Sequence, residues 1–203
     1  MKNNYTIISY YTPDYKSIYE KYLKSSLENL PIKYAILPIF HLNTWKETTK
    51  YKPIFILNCL NKLNTDVVYC DVDATINKYP ILFDNIPIEY DLGVHYLDWM
   101  LQFGNKNKKE LLTGTLYFRN NDKIRLLIHE WIDISKQMGR DDQKPLDIAL
   151  KNLPNIKIFE LPREYCYITS NPIIINKGKP KVILENPIIS HYQASRGLRK
   201  KCK

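Results

Sequence analysis

The feature of this sequence that most constrains its fold is the alternation of short apolar runs with amphipathic stretches of helical length. Residues 5–10 and 67–71 have the length and composition of buried strands, while residues 14–30 and 121–138 carry apolar side chains at helical spacing. This alternation is typical of an α/β domain, in which helices cover a central sheet. A chain of 203 residues is one domain's worth. We therefore expect a single α/β domain over residues 1–203.

The remaining segments extend the same pattern. Further strands are predicted at 34–39, 112–119, 157–160 and 182–185. A helix is predicted from Pro53 to about Leu63, because proline suits the first turn of a helix. The proline-containing stretches 79–87 and 162–180 are predicted to be loops or edge segments.

Composition excludes several classes of protein. Hydrophobic residues make up 44% of the chain and charged residues 25%, which rules out disorder as the overall state. No apolar run approaches the roughly 20 residues of a membrane-spanning helix, and the N-terminus lacks the apolar core of a signal peptide. The four cysteines have no metal-binding spacing and suit a reducing compartment. We expect a cytoplasmic protein without a transmembrane segment, in the host cytoplasm if the chain is viral.

The net charge of +9 is concentrated at the C-terminus. Five of the positive charges lie in the basic tail 196–203. A basic tail attracts phosphates of any kind, including those of nucleotides and nucleic acids. A nucleic-acid-binding module that uses this tail is therefore one alternative function.

The sharpest local motif is a pair of aspartates after the predicted strand 67–71. Asp71 and Asp73 are two residues apart, so an extended chain would place both side chains on one face. Two carboxylates at the carboxyl end of a buried strand suit Mg²⁺ or Mn²⁺ bound to substrate phosphates. Open α/β sheets commonly bind ligands at that edge. The alternative is a strand-ending turn with solvated acids.

The same residues fit a second enzyme class. Asp71 to Thr75 form an Asp-x-Asp-x-Thr sequence, which haloacid-dehalogenase-type phosphatases use to present a nucleophilic aspartate and its acid/base partner. That chemistry needs a later strand ending in further metal-binding acids. The available candidates, Asp141 and Asp142, instead follow an amphipathic helix. The order of the sequence therefore disfavours the phosphatase.

Four separated segments resemble a known family in their order along the chain. They are residues 9–15, 45–53, 67–73 and 113–120, followed by Trp131 and by residues 141–143. Together they resemble the nucleotide-diphospho-sugar glycosyltransferases of GT-A fold, particularly the compact viral and bacterial members. The resemblance implies a Rossmann-like GT-A domain with a mixed, mostly parallel central sheet flanked by helices. It also implies metal-dependent transfer of a sugar from a nucleotide diphosphate, UDP by family default, to an acceptor hydroxyl.

The resemblance assigns roles to three groups of residues. Donor-binding residues would be Tyr11, Thr12, Lys50, Lys52, Asp71, Thr113, Gly114, Arg196 and Arg199. Metal ligands would be Asp71, Asp73 and His191. Catalytic residues beside the anomeric carbon of the donor would be Asp141, Asp142 and Gln143.

These roles agree with the chemistry of the side chains. Tyr11 would stack on the base and Thr12 would bond the ribose. Lys50 or Lys52 would meet the diphosphate as a point charge, and Gly114 would let the backbone approach the donor sugar. Arg196 and Arg199 would close over the diphosphate, although the chain lacks the Lys-Pro-Trp tail of some relatives.

Two further expectations concern the metal and the stereochemistry. Imidazole binds Mn²⁺ more readily than Mg²⁺, so His191 favours manganese. The Asp-Gln segment resembles that of retaining relatives, whereas an inverting enzyme would use Asp141 or Asp142 as general base. The acceptor, which can be a glycan, protein, lipid or nucleic acid, is left open by the sequence.

Overall fold

The computed structural model describes residues 4–42, 44–103, 107–138, 142–169 and 183–194. The strands are β1 (Tyr5–Tyr11), β2 (Tyr34–Pro38), β3 (Asp66–Cys70), β4 (Ala74–Ile76), β5 (Leu92–Asp98), β6 (Lys109–Phe118), β7 (Ile158–Glu160), β8 (Tyr167–Ile168) and β9 (Ile189–His191). The helices are α1 (Lys16–Tyr19), α2 (Ser25–Leu27), α3 (Trp45–Leu63), α4 (Trp99–Phe103), α5 (Asp122–Met138) and α6 (Gln143–Asn152). A π-helical turn (Glu20–Lys24) joins α1 to α2.

A six-stranded sheet in the order β2-β1-β3-β6-β5-β7 forms the centre of the molecule. The pairs β1–β2, β1–β3 and β5–β7 are parallel. Only β6 runs against its neighbours β3 and β5. The fold class predicted from the sequence, a mixed and mostly parallel sheet flanked by helices, is confirmed.

Alternating side chains of the central strands supply two cores. On one face, Ile8 of β1 and Val67 of β3 pack with α3, α5 and α6, and Trp131 of α5 is fully buried there. On the other face, Ile7 of β1 and Val68 of β3 pack with the helical segment 16–27 and with the second sheet. Burial on both faces explains why these strands read as near-continuous apolar runs. Each fully buried side chain of this size contributes about 1.5–3 kcal/mol.

A smaller sheet in the order β4-β9-β8 lies beside the first. β9 pairs antiparallel with β4 and parallel with β8, in a register that sets His191 opposite Ala74. The prediction of a strand at 182–185 is wrong for the described residues 183–185, which have no strand structure. The strand forms a few residues later, where Ile189 is fully buried against the core.

The helix predicted from Pro53 starts eight residues earlier, at Trp45. Thr44 caps it, because its hydroxyl accepts from the Glu47 amide at 3.2 Å while Glu47 accepts from the Thr44 amide at 3.1 Å. This capping box defines the start of the helix by satisfying two backbone donors, and Pro53 lies inside α3. Within the part of the chain that the structure describes, no helix is long and apolar enough to cross a membrane.

Candidate functional site

A cleft of about 380 Å³ opens where β1 and β3 end. Its walls come from the end of β1, one face of α3, the turn after β3, the first half of β6, the start of α6 and residues around β8 and β9. Because β6 is antiparallel to β3 and pairs Thr115 with Cys70, the residues before Thr115 extend past the end of β3. This extension forms one wall of the cleft.

The structure brings most of the predicted site residues together. Those that line the cleft are Tyr11, Thr12, Lys52, Asp71, Asp73, Thr113, Gly114, Asp142, Gln143 and His191. Lys50 is partly buried on α3 and is not among the described residues that line the cleft. Asp141, Arg196 and Arg199 lie outside the described residues.

Asp71, Asp73 and His191 form a cluster with the composition of a metal site. One ligand atom from each lies within 4.8 Å of the other two. The two aspartates converge through a turn, not along the extended strand from which we expected their convergence. The Asp71 amide donates to the Gly114 carbonyl at 2.9 Å, and the Ala74 amide donates back to the Asp71 carbonyl at 3.0 Å. Two carboxylates and an imidazole suit Mn²⁺, and suit Mg²⁺ less well.

The His191 ring is held by neighbours on two sides. Its Nε2 lies 2.8 Å from the hydroxyl of Thr115. A Cβ placed on Gly114 would lie 2.9 Å from Cε1 and 3.0 Å from Nδ1 of the imidazole. Glycine at position 114 therefore leaves the space that the ring occupies. Contact between Gly114 and a donor sugar remains a prediction.

Burial keeps His191 uncharged. The side chain is 5% exposed, and loss of hydration lowers the pKa of His191 to about 4, although the Asp71 carboxylate opposes this shift. A neutral imidazole has one ring nitrogen with a free lone pair, which is the form that a metal ion binds.

Lys52 joins three elements at the floor of the cleft. Its ammonium is paired with the Asp142 carboxylate, lies 3.2 Å from Asp71 Oδ1 and donates to the Thr113 carbonyl at 3.1 Å. The side chain is 4% exposed. Burial lowers the pKa of Lys52, but attraction to Asp142 and Asp71 outweighs burial and raises it above its ordinary value. Lys52 is therefore a fixed positive charge between two carboxylates.

Asp142 and Gln143 lie at the start of α6, beside β6. The Asp142 carbonyl accepts from the indole nitrogen of Trp131 at 3.0 Å, and the Gln143 amide donates to the Leu111 carbonyl at 2.9 Å. These bonds fix the start of α6 against α5 and β6. The Asp142 side chain is buried in its ion pair with Lys52.

Near the end of β1, the cleft is lined by aromatic side chains. Tyr11 stacks on Tyr19 with ring centroids 4.5 Å apart and an interplanar angle of 14°. Thr12 is 3% exposed, and its carbonyl accepts from the Tyr15 amide at 2.9 Å. Tyr11 already has one stacking partner, so a base would have to use its remaining surface.

Two residues of the site were not predicted from the sequence. Tyr69 donates to Asp71 Oδ1 at 3.1 Å, and the Lys52 ammonium lies 4.7 Å from the centre of its ring. Thr115 is fully buried and holds His191. Thr115 gives one signal, a polar residue directly before the buried apolar run 116–118 of β6. Tyr69 gives none, because tyrosine is common in buried strands.

Comparison with solved structures shows the fold that this site belongs to. A glycosyltransferase involved in the glycosylation of the major capsid of PBCV-1 matches with a TM-score of 0.67, 14% identity and coverage of 98% of both chains. Mouse xyloside xylosyltransferase 1 matches with a TM-score of 0.56, 10% identity and coverage of 94% of this chain and 98% of that one. Glycosyltransferase GlyE of Streptococcus pneumoniae TIGR4 matches with a TM-score of 0.61, 15% identity and coverage of 92% of this chain and 54% of that one.

No protein-family model matches the sequence, and no curated protein is recognisably similar to it in sequence. The matches to solved structures show that the chain has the GT-A fold of these glycosyltransferases, as its motif order predicted.

Proposed function

We propose that this chain is a metal-dependent glycosyltransferase that moves a sugar from a nucleotide diphosphate, most simply UDP, to an acceptor hydroxyl. The observation that carries this proposal is the cluster of Asp71, Asp73 and His191 inside the cleft of a glycosyltransferase fold. Fold alone does not define an activity, but acids and imidazole converging in the cleft are the chemistry that this activity needs.

The residues of the cluster fit a divalent cation. The imidazole of His191 is neutral, and in the tautomer whose Nε2 hydrogen is donated to the Thr115 hydroxyl, Nδ1 on the side of Gly114 would be the nitrogen that binds a ligand. With the oxygens of Asp71 and Asp73, this set favours Mn²⁺. A cation bound there would offset the negative charge that develops on the departing nucleotide diphosphate.

The other residues of the cleft would position the donor. The Thr12 hydroxyl and the Tyr11 ring, which line the cleft, would contact the nucleoside, and Thr113 would contact the sugar. The contacts of Lys52 with Asp71 and Asp142 favour a role in fixing these carboxylates over the direct contact with the diphosphate that we first expected. Asp141, Arg196 and Arg199 keep their expected roles as part of this proposal.

The ion pair at Asp142 supports a retaining mechanism. Asp142 is 5% exposed, and its carboxylate is held by the Lys52 ammonium instead of being free to approach an acceptor hydroxyl. In the retaining alternative, an oxygen of the leaving phosphate takes the proton of the acceptor hydroxyl. NMR of the anomeric proton of the product tests this, and inversion would contradict it.

The likeness to the PBCV-1 glycosyltransferase supports a viral or bacterial member of this fold, as the sequence resemblance indicated. The described cysteines Cys59, Cys70 and Cys166 are free and buried, which suits the cytoplasmic setting that we propose. The two alternatives predict different ligands. A nucleic-acid-binding module would bind polyanions through residues 196–203 without a nucleotide, and a phosphatase would release phosphate from phosphate esters.

A thermal-shift panel of nucleotide diphosphates and their sugars, with Mn²⁺, Mg²⁺ or EDTA, tests the proposal. Ligands that bind the native state raise the melting temperature. We expect stabilisation by UDP or a UDP-sugar with Mn²⁺ in the wild type and in Asp133→Asn, an exposed control on α5. We expect none in Asp73→Asn, together with loss of nucleotide release. An Asp73→Asn protein with wild-type metal-dependent stabilisation and turnover would refute the assignment.

A further inference from the structure

The chain leaves the metal-site cluster through a segment that is held on two sides. β9 ends at His191, and the next residue, Tyr192, donates its amide hydrogen to the Asp73 carbonyl at 3.1 Å. The ring of Tyr192 stacks on that of Tyr22, with centroids 4.7 Å apart and an interplanar angle of 27°. Gln193 follows directly, so its position relative to the cluster is fixed by these contacts.

The backbone of Gln193 is in an unfavourable conformation. Its φ is 49°, in the left-handed region that residues other than glycine rarely adopt. Among the described residues other than glycine, only Asn64 shares a positive φ, and Asn64 ends α3, where asparagine in this conformation is common. Gln193 follows a strand, so no helix end explains its conformation.

The side chain of Gln193 is unfavourably placed as well. Gln193 lines the cleft, and its Oε1 is buried without a hydrogen-bond partner among the described residues. A buried amide oxygen without a partner costs free energy, so such oxygens are rare in native proteins. The residue as a whole is only partly buried, so the amide can turn toward a ligand in the cleft. Two unfavourable features at one residue of a cleft point to a role in function.

We propose that Gln193 recognises the donor, and that its amide oxygen accepts a hydrogen bond from a hydroxyl group of the bound nucleotide sugar. The ionised diphosphate has no hydrogen to donate, whereas the ribose and the transferred sugar both carry hydroxyl groups. The fixed backbone of Gln193 limits the freedom that the residue loses when the donor binds. The proposal rests on the proposed function, because the nucleotide sugar is the ligand.

The charges around Gln193 explain why an uncharged acceptor suits this position. Asp71 and Asp73 line the same cleft, and the donor brings a negatively charged diphosphate. A carboxylate at position 193 would be repelled by these groups, whereas an amide accepts a hydrogen bond without adding negative charge. Gln193→Glu should therefore bind the donor more weakly than the wild type, although it keeps an acceptor oxygen.

The test compares two variants of Gln193 with a matched control. Gln193→Met keeps the length of the side chain but removes the amide, and Gln193→Gly also relieves the backbone, because glycine adopts a positive φ without strain. The control is Gln137→Met, at an exposed position of α5. A side chain kept only for stability would lower the melting temperature in both variants of Gln193 and leave ligand affinity unchanged.

Calorimetric titrations in Mn²⁺ use UDP, its 2′-deoxy and 3′-deoxy forms, UDP-glucose, UDP-galactose and UDP-xylose. Loss of one hydrogen bond should raise the Kd about two- to tenfold in Gln193→Met and Gln193→Gly, but not in Gln137→Met. If the partner is a ribose hydroxyl, the loss occurs with UDP and disappears with the deoxy form that lacks that hydroxyl. If the partner is on the transferred sugar, the loss occurs with a UDP-sugar and not with UDP.

Three results would overturn the role of Gln193. The first is a Kd in Gln193→Met equal to that in Gln137→Met for every ligand. The second is an equal loss of affinity for all of them, both deoxy forms included, because the partner would then not be a hydroxyl. The third is weaker binding of Mn²⁺ alone, which would assign Gln193 to the metal. Failure of the proposed function is a different result, in which the wild type itself binds none of these nucleotides, and the role of Gln193 is then refuted with it.

Discussion

At the residue scale, Lys52 is the side chain on which the described site most depends. It is 4% exposed and holds the carboxylates of Asp71 and Asp142 at the ends of two different elements. Removing one partner from a buried ion pair leaves the other charge without compensation, which costs about 3–5 kcal/mol. We expect Lys52→Met to lower the free energy of unfolding by that amount in urea denaturation.

The control for this prediction lies on the same helix. Lys46 is exposed on α3, so Lys46→Met changes the same net charge without disturbing a buried pair. Surface changes of this kind alter stability by about 0.5 kcal/mol or less. If Lys52→Met proves as stable as Lys46→Met, Lys52 is not a buried partner of Asp142.

Two glycines give a second prediction at this scale. A Cβ on Gly114 would lie 2.9 Å from the His191 ring, so Gly114→Ala should displace the imidazole and weaken Mn²⁺ binding. A Cβ on Gly93 would lie 3.0 Å from Tyr117 Cβ, in the core. Gly93→Ala should therefore lower the melting temperature without EDTA-sensitive effects. Mn²⁺ titrations of both variants distinguish them, and equal Mn²⁺ affinity in Gly114→Ala and the wild type would contradict this reading of the site.

The residues of the site differ in how far the sequence reveals them. Asp71 and Asp73 are visible because two acids close an apolar run, and His191 followed from the motif order of a resembling family. The pairing of Lys52 with Thr113 was not visible, because the two residues are 61 positions apart and no local pattern links them. Contacts of that kind are set by the packing of α3 against the sheet.

At the element scale, α3 positions the wall of the cleft that carries Lys52. Its start is defined by the capping box of Thr44 and Glu47. Loss of such a cap costs about 1 kcal/mol. We expect Thr44→Ala to lower the free energy of unfolding by about that amount in urea, whereas Ser17→Ala, at an exposed helical position, should change it little. Equal stability of the two variants would show that the cap does not contribute.

The elements were predictable where one local pattern dominates. β1, β3 and α5 follow directly from apolar runs and helical spacing. Pro53 predicts the wrong start for α3, because the capping box at Thr44 begins the helix eight residues earlier. β9 lies a few residues after the predicted strand because its position depends on pairing with β4, more than 110 residues earlier in the chain. The periodicity of a segment does not show which strand it pairs with.

At the scale of the whole molecule, the site is formed by segments that are far apart in the sequence. The parallel pairing of β1 and β3 places their carboxyl ends at one edge, and the reversed direction of β6 adds Gly114 to that edge. The pairing of β9 with β4 then places His191 opposite Ala74, next to Asp73. The cleft therefore depends on the topology of both sheets, and the spacing of residues in the sequence predicts only the pair Asp71 and Asp73.

Global stability should depend on pH through histidines that are buried without charge. His95 is 8% exposed, and its Nδ1 lies 2.9 Å from the Leu161 carbonyl. Burial lowers the pKa of His95, although this hydrogen bond opposes the shift. Below the unfolded-state pKa near 6.5, the unfolded chain therefore binds more protons than the native protein, so stability falls as the pH falls through this range.

Replacing His95 measures how much this histidine contributes to the pH dependence of stability. Asparagine can still donate to the Leu161 carbonyl but cannot gain a proton. We expect the free energy of unfolding, measured in urea with EDTA between pH 4.5 and 7.5, to fall less steeply with acid in His95→Asn than in the wild type. Part of the slope should remain, because burial also lowers the pKa of His191 to about 4. If His95→Asn kept the wild-type slope, His95 would titrate alike in the folded and unfolded chains, and its burial would not contribute to the loss of stability in acid.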